Sequence, residues 1–132
     1  MNKQDIGTLI LRVLFGFTFL LHGVAKFQGG ITNTVGFFES LGIPGFMAYV
    51  VASVELVGGL ALVLGLGTRI IGATFAIIMV VAIVTVKLPL GILGDGVAAG
   101  YELELIFFAV SAYFVFANRS EISLDAKIFS NN

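Results

Sequence analysis

The chain has 132 residues, of which 58% are hydrophobic and 11% are charged, and its mean hydropathy is +1.08. Average soluble domains carry roughly 25% charged residues, so this chain has too little polar surface to stay soluble. The net charge of −1 indicates no class of partner, but the lack of a basic run argues against nucleic acid. Without cysteine and with one histidine, the chain cannot form disulfides, cysteine-ligated iron–sulfur clusters or a histidine-rich metal site of its own. The composition predicts an integral membrane protein that contacts the lipid bilayer.

The first predicted helix, residues 6–27, is long enough to cross a bilayer, which takes roughly 20 mostly apolar residues. Five of its residues follow steps of three and four and form one stripe: Arg12, Phe15, Phe19, His22 and Lys26. A charge at the bilayer centre costs a few kcal/mol or more, so this stripe is expected to face other helices. Gly16 and Gly23 lie beside the stripe and allow another backbone to come close. Because Arg12 interrupts the apolar run, a cleaved signal peptide is not expected.

A polar connection over residues 28–42 precedes three further apolar segments. These predict helices over residues 44–64, 69–87 and 101–117, followed by a polar tail over residues 118–132. Glu55 in the second of the four predicted helices is flanked by small residues at helical spacing, which favours tight packing of its face. The sequence therefore predicts an all-α, integral membrane four-helix bundle that forms a single domain over residues 1–132.

An even number of spans places both termini on the same side of the membrane, together with four cations: Lys3, Arg69, Arg119 and Lys127. Only Lys26 and Lys87 fall at the opposite ends of the predicted helices. Positive charges in short loops favour the cytoplasmic side. We therefore predict a multi-pass protein of the plasma membrane with both termini in the cytoplasm.

The cations of the first helix need acceptors within the bundle, and acidic residues of the other helices can supply them. Glu55 is the expected partner of Arg12, and Lys26 is expected to pair with Glu102 or Glu104. These two glutamates lie about 200° apart on a helix, so only one can face the bundle. A structural reading, in which the ion pair only fixes the register of the helices, stands beside the functional one.

A pocket between predicted helices 1, 2 and 4 could hold a flat molecule with a polar head, such as a quinone. Its substrate-binding residues are predicted to be Arg12, Phe19, Lys26, Glu55 and Tyr101. Histidine as a residue type commonly transfers protons in proteins, so His22, together with Glu102, is the predicted catalytic residue that handles protons. No metal site is expected, and any electron carrier must be a bound quinone, another cofactor or a partner subunit.

The motifs of the chain, taken in order, resemble those of the DoxX family of small four-helix membrane proteins. The resemblance covers nearly the whole chain and depends on these residues: Arg12 with Gly16, His22-Gly23, Lys26-Phe27, Phe38, Gly42-x-Pro44, Glu55-x-x-Gly58-Gly59, Gly65 to Thr68 with Arg69, Gly100-Tyr101-Glu102, and Ser123-Leu124-Asp125. Ala117-Asn118-Arg119 departs mildly from the pattern, where a glycine is expected after the last helix. The chain looks most like the CatD-type branch, whose members carry the label oxidoreductase.

The resemblance implies an oxidoreductase function, since the family is named after a thiosulfate:quinone oxidoreductase of a respiratory chain. The leading hypothesis is a membrane subunit of an oxidoreductase system that needs a partner redox subunit or a bound cofactor. The first alternative is a non-catalytic scaffold or assembly subunit that recruits a soluble enzyme. The second is a small-molecule transport factor, which would need a homo-oligomer because four helices are few for a transporter.

Overall fold

The structure is a computed structural model that describes residues 1–129, and every regular element in that range is helical. The elements are α1 (Lys3–Gln28), α2 (Ile31–Ser40), α3 (Phe46–Leu64), α4 (Thr68–Ala82), a π-helical turn (Ile83–Lys87), a 3₁₀ turn (Leu88–Leu90), α5 (Glu102–Phe116) and α6 (Leu124–Phe129). The all-α prediction is confirmed. Asn2 caps α1 by accepting a hydrogen bond from the N–H of Asp5 at 2.8 Å, so α1 begins before the apolar run.

Three helical segments are long and apolar enough to cross a membrane: Lys3–Gln28, Phe46–Leu64 and Thr68–Leu90. The third is continuous through the π-helical and 3₁₀ turns that follow α4. α5 is equally apolar in character but has 15 residues, about 22 Å of helix at 1.5 Å per residue. The count of four spans therefore stays a prediction.

Two helices lie where the sequence analysis predicts none. α2 occupies most of the connection over residues 28–42, and α6 lies in the polar tail. In α2 the apolar residues Ile31, Val35 and Phe38 recur at helical spacing, and the Asn33 side chain donates to the carbonyl oxygen of Gly29 at 3.0 Å. The glycines and polar residues of this stretch made it resemble a loop.

The chain divides into two compact units, and residues 1–68 with the described part of the C-terminal region form the first. Its centre is the antiparallel pair α1 and α3. A Cβ atom added to Gly16 would lie 2.6 Å from the carbonyl oxygen of Gly59, and one added to Gly59 would lie 2.5 Å from the nitrogen of Leu20. Gly23 meets the backbone of Leu56 in the same way, at 2.7 Å. These three glycines, the glycine seam, let the two backbones touch, as the sequence predicts.

The C-terminal segment, residues 119–129, folds onto the turn between α3 and α4. The N–H of Asp125 donates to the carbonyl oxygen of Gly65 at 3.0 Å, and the Asp125 carboxylate accepts the N–H groups of Gly67 and Thr68 at 2.9 and 3.4 Å. Ser123 caps α6 by accepting the N–H of Ala126 at 3.1 Å. The tail therefore has a fixed place in the first unit.

Residues 69–116 form the second unit. Its helices approach closely at Gly72, where an added Cβ would lie 2.7 Å from the carbonyl oxygen of Ser111. The loop between Leu90 and α5 turns at Asp95, whose carboxylate accepts the N–H groups of Val97 and Ala98 at 2.9 and 2.8 Å. These bonds, with that from Ala98 as the larger cause, hold the pKa of the exposed Asp95 carboxyl below its usual range.

Candidate functional site

Lys26 and Glu55 form an ion pair in the groove between α1 and α3. The Lys26 Nζ lies 2.6 Å from a carboxylate oxygen of Glu55. Glu55 is 5% exposed, whereas the Lys26 side chain keeps 27% of its surface accessible. Glu55 lies nine residues into α3, about 14 Å from its start, so the lysine reaches from the last turn of α1 toward the middle of α3. A charged hydrogen bond between such groups stabilises both charges where water is scarce.

The expected pair between Arg12 and Glu55 is wrong, because the register of the helices separates the two residues. Gly23 lies opposite Leu56, so Glu55 is level with the end of α1. Arg12 lies 11 residues earlier than Gly23 on the same helix, about 16 Å along its axis. An arginine side chain cannot cover that distance, and Lys26 is the cation within reach.

Arg12 instead meets the C-terminal segment. Its Nη2 donates to the carbonyl oxygen of Ile122 at 2.6 Å, and the residue is 2% exposed. Among the described residues, no acceptor lies within hydrogen-bonding distance of its Nε or Nη1. Gly65 packs against the guanidinium group, since a Cβ on this glycine would lie 2.9 Å from both Cζ and Nη1. We call Arg12, Gly65, Gly67, Ile122 and Asp125 the Arg12 cluster.

The Arg12 cluster lies at a membrane surface and not in the hydrocarbon core. It is built around the turn between α3 and the following segment, both of which have the length of a membrane span. Irregular backbone facing lipid does not occur within hydrocarbon, so this turn belongs to the interface. The buried arginine is thus level with the headgroups, although it is the tenth residue of α1.

His22 departs from the predicted inner stripe. Arg12, Phe15 and Phe19 are buried, but His22 is exposed on the surface of α1. Its ring centroid lies 6.3 Å from that of Phe19, with the planes tilted by 54°. We call Phe19, His22, Lys26 and Glu55 the Lys26 cluster, because His22 lies one helical turn from the lysine.

The two glutamates at the start of α5 differ in their surroundings, and both lie in the second unit. Glu102 is exposed, and Tyr101 is half-buried. The carboxylate of Glu104 lies 3.8 Å from the Nζ of Lys87, with 18% of the side chain exposed. Lys87 also donates to the carbonyl oxygen of Ala99 at 3.2 Å. The acid that pairs within this unit is therefore Glu104, and the expected pairing of Lys26 with either glutamate is replaced by its pairing with Glu55.

The candidate residues of α1 fall into two clusters, not one. Arg12 and Lys26 are 14 residues apart on a single helix, about 21 Å along its axis. One small molecule cannot span both. The Lys26 cluster has an exposed imidazole and an ion pair beside the buried ring of Phe19, whereas, among the described residues, the polar atoms of the Arg12 cluster without hydrogen-bond partners are the Nε and Nη1 donors of Arg12. The catalytic and binding roles of Tyr101 and Glu102 stay predictions.

Sequence reasoning missed Asp125 as a member of a polar cluster, and it named Glu104 as a possible partner of Lys26 and not of Lys87. Asp125 stands two residues after Ser123, and this short polar motif after an apolar helix was the available signal. Within residues 1–129, no group of three His, Cys, Asp or Glu side chains could hold a metal ion.

Comparisons with known proteins agree on one family. The family model DoxX matches residues 7–88. The chain is 42% identical over 130 residues to the protein named "Putative oxidoreductase CatD" of Bacillus subtilis, covering 98% of this chain and 92% of the relative. It is 38% identical over 66 residues to the inner membrane protein YqjF of Escherichia coli, covering 50% of each chain.

A further relative is an uncharacterized membrane protein of Mycobacterium tuberculosis, 33% identical over 130 residues, which cover 91% of this chain and 80% of the relative. No solved structure matches the chain significantly. The names of the relatives and the three candidate spans together identify a membrane protein. The match to the family model and the extent of the similarity to its relatives confirm the resemblance seen in the sequence: the chain belongs to the DoxX family.

Proposed function

We propose that the chain is a membrane subunit of an oxidoreductase system, and that it binds a quinone-like molecule at the Lys26 cluster. The name of the Bacillus subtilis relative supports an oxidoreductase function. The chain has no cysteine and one histidine, so its own side chains offer no redox centre. A bound quinone would supply the capacity to accept and donate electrons, and a partner redox subunit would exchange those electrons with it.

The exposed imidazole of His22 is the observation that carries this proposal. His22 lies ten residues after Arg12 on α1, about 15 Å along the helix axis, and therefore near the middle of a hydrocarbon layer about 30 Å thick. A polar side chain facing lipid at this depth is costly, so its presence there indicates a function. Quinones dissolve in the bilayer and approach a protein laterally, so a donor on the lipid-facing surface is directly accessible to a quinone carbonyl.

The neighbours of His22 suit the head of a quinone. The buried ring of Phe19 lies beside the imidazole, with the ring centroids 6.3 Å apart, and supports its position on α1. Lys26 holds a positive charge one turn away, and Glu55 fixes the position of that charge. In this arrangement His22 donates a hydrogen bond to a carbonyl oxygen and can pass the shared proton to it, since an imidazole N–H is a hydrogen-bond donor.

The proposed subunit has four spans, with α5 as the fourth and both termini in the cytoplasm. Glu102 and Glu104 in the first turn of α5 favour the start of a helix, and the rest of α5 is apolar except for Ser111 and Tyr113. The excess of positive charge near the termini supports the orientation.

Binding of a short-chain ubiquinone or menaquinone analogue to the protein in lipid nanodiscs tests the proposal. We expect saturable binding that weakens by about tenfold in His22→Ala, because one hydrogen bond to a carbonyl in a dry site is lost. Leu21→Ala is the matched control, since Leu21 is the adjacent residue and is exposed on the same helix. Equal binding by both variants and the unaltered protein would contradict the role of His22. Absence of any saturable binding would contradict the quinone site.

A further inference from the structure

We propose that the Arg12 cluster is a binding site for a phosphate group, and that the carboxylate of Asp125 occupies it as a tethered competitor. This site is separate from the proposed quinone site, because it lies about 21 Å away along α1. The failure of one proposal therefore leaves the other unaffected.

The first argument is the position of Asp125. Its carboxylate accepts the N–H groups of Gly67 and Thr68, and Thr68 is the first residue of α4. The first N–H groups of a helix have no acceptor within the helix itself. Together with the helix dipole, they favour an anion at the start of the 15-residue α4. The chain itself thus places one anionic group where helix geometry attracts anions.

The second argument is the unused capacity of Arg12. Arg12 is 2% exposed, and its guanidinium group carries five N–H bonds. Among the described residues, only an N–H bond of Nη2 meets an acceptor. The N–H groups of Nε and Nη1 therefore lack acceptors in a place where such groups cost about 1–3 kcal/mol each. The charge of Asp125 acts on Arg12, but the carboxylate oxygens are bonded to the turn between α3 and α4.

The third argument is the fit of the backbone around the arginine. Gly65 has φ of 74°, and an added Cβ would lie 2.9 Å from Nη1 and 2.5 Å from the Cβ of Ser123. The turn is therefore shaped to approach the guanidinium group closely. The two oxygen atoms of the Asp125 carboxylate are directed at Gly67 and Thr68, whereas a tetrahedral phosphate group has oxygen atoms that can face this turn and Arg12 at the same time. Arginine is well suited to phosphate because its planar donors match phosphate geometry.

The position at the membrane surface allows two sources of phosphate. An anionic phospholipid can place its headgroup here, and inorganic phosphate or a soluble phosphate ester can enter from the aqueous side. In both cases the C-terminal segment must lift Asp125 away from the turn. The C-terminal segment is thereby a cover whose release opens the site.

Binding experiments in maltoside micelles, which contain no phosphate, separate these sources. One arm titrates inorganic phosphate and the other a short-chain phosphatidylglycerol, each followed by ³¹P NMR line broadening on the full-length protein. We expect Asp125→Asn to bind one of the two probes about tenfold more tightly than the unaltered protein. The amide has one acceptor oxygen in place of two and carries no charge, so it holds the two N–H groups more weakly.

Glu121→Gln is the matched control. It removes a negative charge from the same segment, and Glu121 pairs with the amino terminus, 3.4 Å away, and not with Arg12. Its affinity should equal that of the unaltered protein. Arg12→Lys, which keeps the charge but loses the planar fork, should weaken binding by Asp125→Asn protein at least fivefold. Thermal unfolding of each variant shows that the fold is retained.

The result that overturns the proposal is equally specific. If Asp125→Asn binds neither probe more tightly than the unaltered protein, the cluster is only a hydrogen-bonded anchor for the C-terminal segment. The same conclusion follows if Glu121→Gln tightens binding as much as Asp125→Asn does, because the gain is then a general effect of charge.

Discussion

At the scale of single residues, the helix packing of the first unit depends on glycines, which have no Cβ atom. The glycine seam brings the backbones of α1 and α3 into contact because Gly16, Gly23 and Gly59 have no Cβ. In a membrane, lipid tails are as apolar as leucine, so helices associate through close packing and polar contacts more than through the hydrophobic effect. The Lys26–Glu55 pair adds a polar contact to the same interface.

We predict that Gly59→Ala destabilises the protein by about 1–3 kcal/mol, because its methyl group would meet the backbone of α1, which cannot move aside without separating the helices. Gly7→Ala is the control. Gly7 lies in α1 with no atom within 4 Å of an added Cβ, so this change should stabilise by about 0.5–1 kcal/mol. Reversible unfolding in mixed micelles measures both. Similar effects of the two substitutions would contradict the seam.

We predict that Lys26→Met destabilises by about 3–5 kcal/mol, since it leaves the buried carboxylate of Glu55 without a cation. The double variant Lys26→Met, Glu55→Met should regain most of this loss, because no unpaired charge then remains between α1 and α3. Lys3→Met, at an exposed position of the same helix, serves as the control. A double variant as unstable as Lys26→Met would show that the pair itself, and not an unpaired charge, sets the stability.

At the scale of the elements, polar side chains define the ends and turns of apolar helices. Asn2 and Asp5 cap α1, Asp125 accepts the first N–H of α4, and Asp95 orders the loop before α5. Each of these carboxylates accepts hydrogen bonds from the backbone. At Asp95, where these bonds lower the pKa of the carboxyl, they link local order to pH.

Asp95 offers the clearest pH test, because its carboxyl is exposed and its pKa is lowered by the N–H groups of Ala98 and Val97. A lowered pKa in the folded state means that the loop bonds contribute fully above the unfolded pKa. They are lost as the pH falls through the folded pKa. We expect the amide proton shifts of Val97 and Ala98 in NMR spectra to titrate together, with a midpoint below the usual range of an aspartate.

Asp95→Asn should abolish this titration, since the amide has no charge to lose, while the shifts at neutral pH change little. Titration of the two amides at or above the usual pKa of an aspartate would contradict the hydrogen-bonded turn.

The elements also show what could be predicted from the sequence. Long apolar runs revealed α1, α3 and α4, because a membrane span must be apolar over its whole length. α2 was missed because Gly29, Gly30 and Gly36 mark a loop in most contexts, and the helical spacing of its few apolar residues is a weaker signal. Helix ends were approximate, since the π-helical and 3₁₀ turns carry the helical segment past its predicted end at residue 87 to Leu90.

The pairing of charges was harder to predict than the helices. Charge counting could not find the acceptor of Arg12, because that acceptor is a backbone carbonyl 110 residues further along the chain. Every residue has such a carbonyl, so composition gives no preference among them. The partner of Glu55 depended on the register of α1 against α3, which only the contacts of the glycine seam determine.

At the scale of the whole molecule, the number of membrane crossings decides which loops face which compartment. Residues 97 and 121 flank α5, and both are exposed: Val97 is 97% exposed and the side chain of Glu121 67%. If α5 crosses the membrane, these positions lie on opposite sides. If it does not, they lie on the same side.

We predict that Val97→Cys reacts with a membrane-impermeant maleimide in intact cells, whereas Glu121→Cys reacts only after the cells are opened. The chain has no cysteine of its own, so each variant carries a single thiol. Labelling of both positions in intact cells, or of neither, would contradict α5 as a span. The reverse pattern would keep the span and invert the orientation.

The glycine seam also limits how the first unit can move. A shift of α1 along α3 by one helical turn, about 5.4 Å, would carry Gly16 away from Gly59 and bring larger side chains against its backbone. It would also break the Lys26–Glu55 pair. Sliding between these helices is therefore blocked at both ends of the contact. In any conformational change of this unit, α1 and α3 therefore move together as one rigid body. The segments attached to them are the parts that can move relative to this pair.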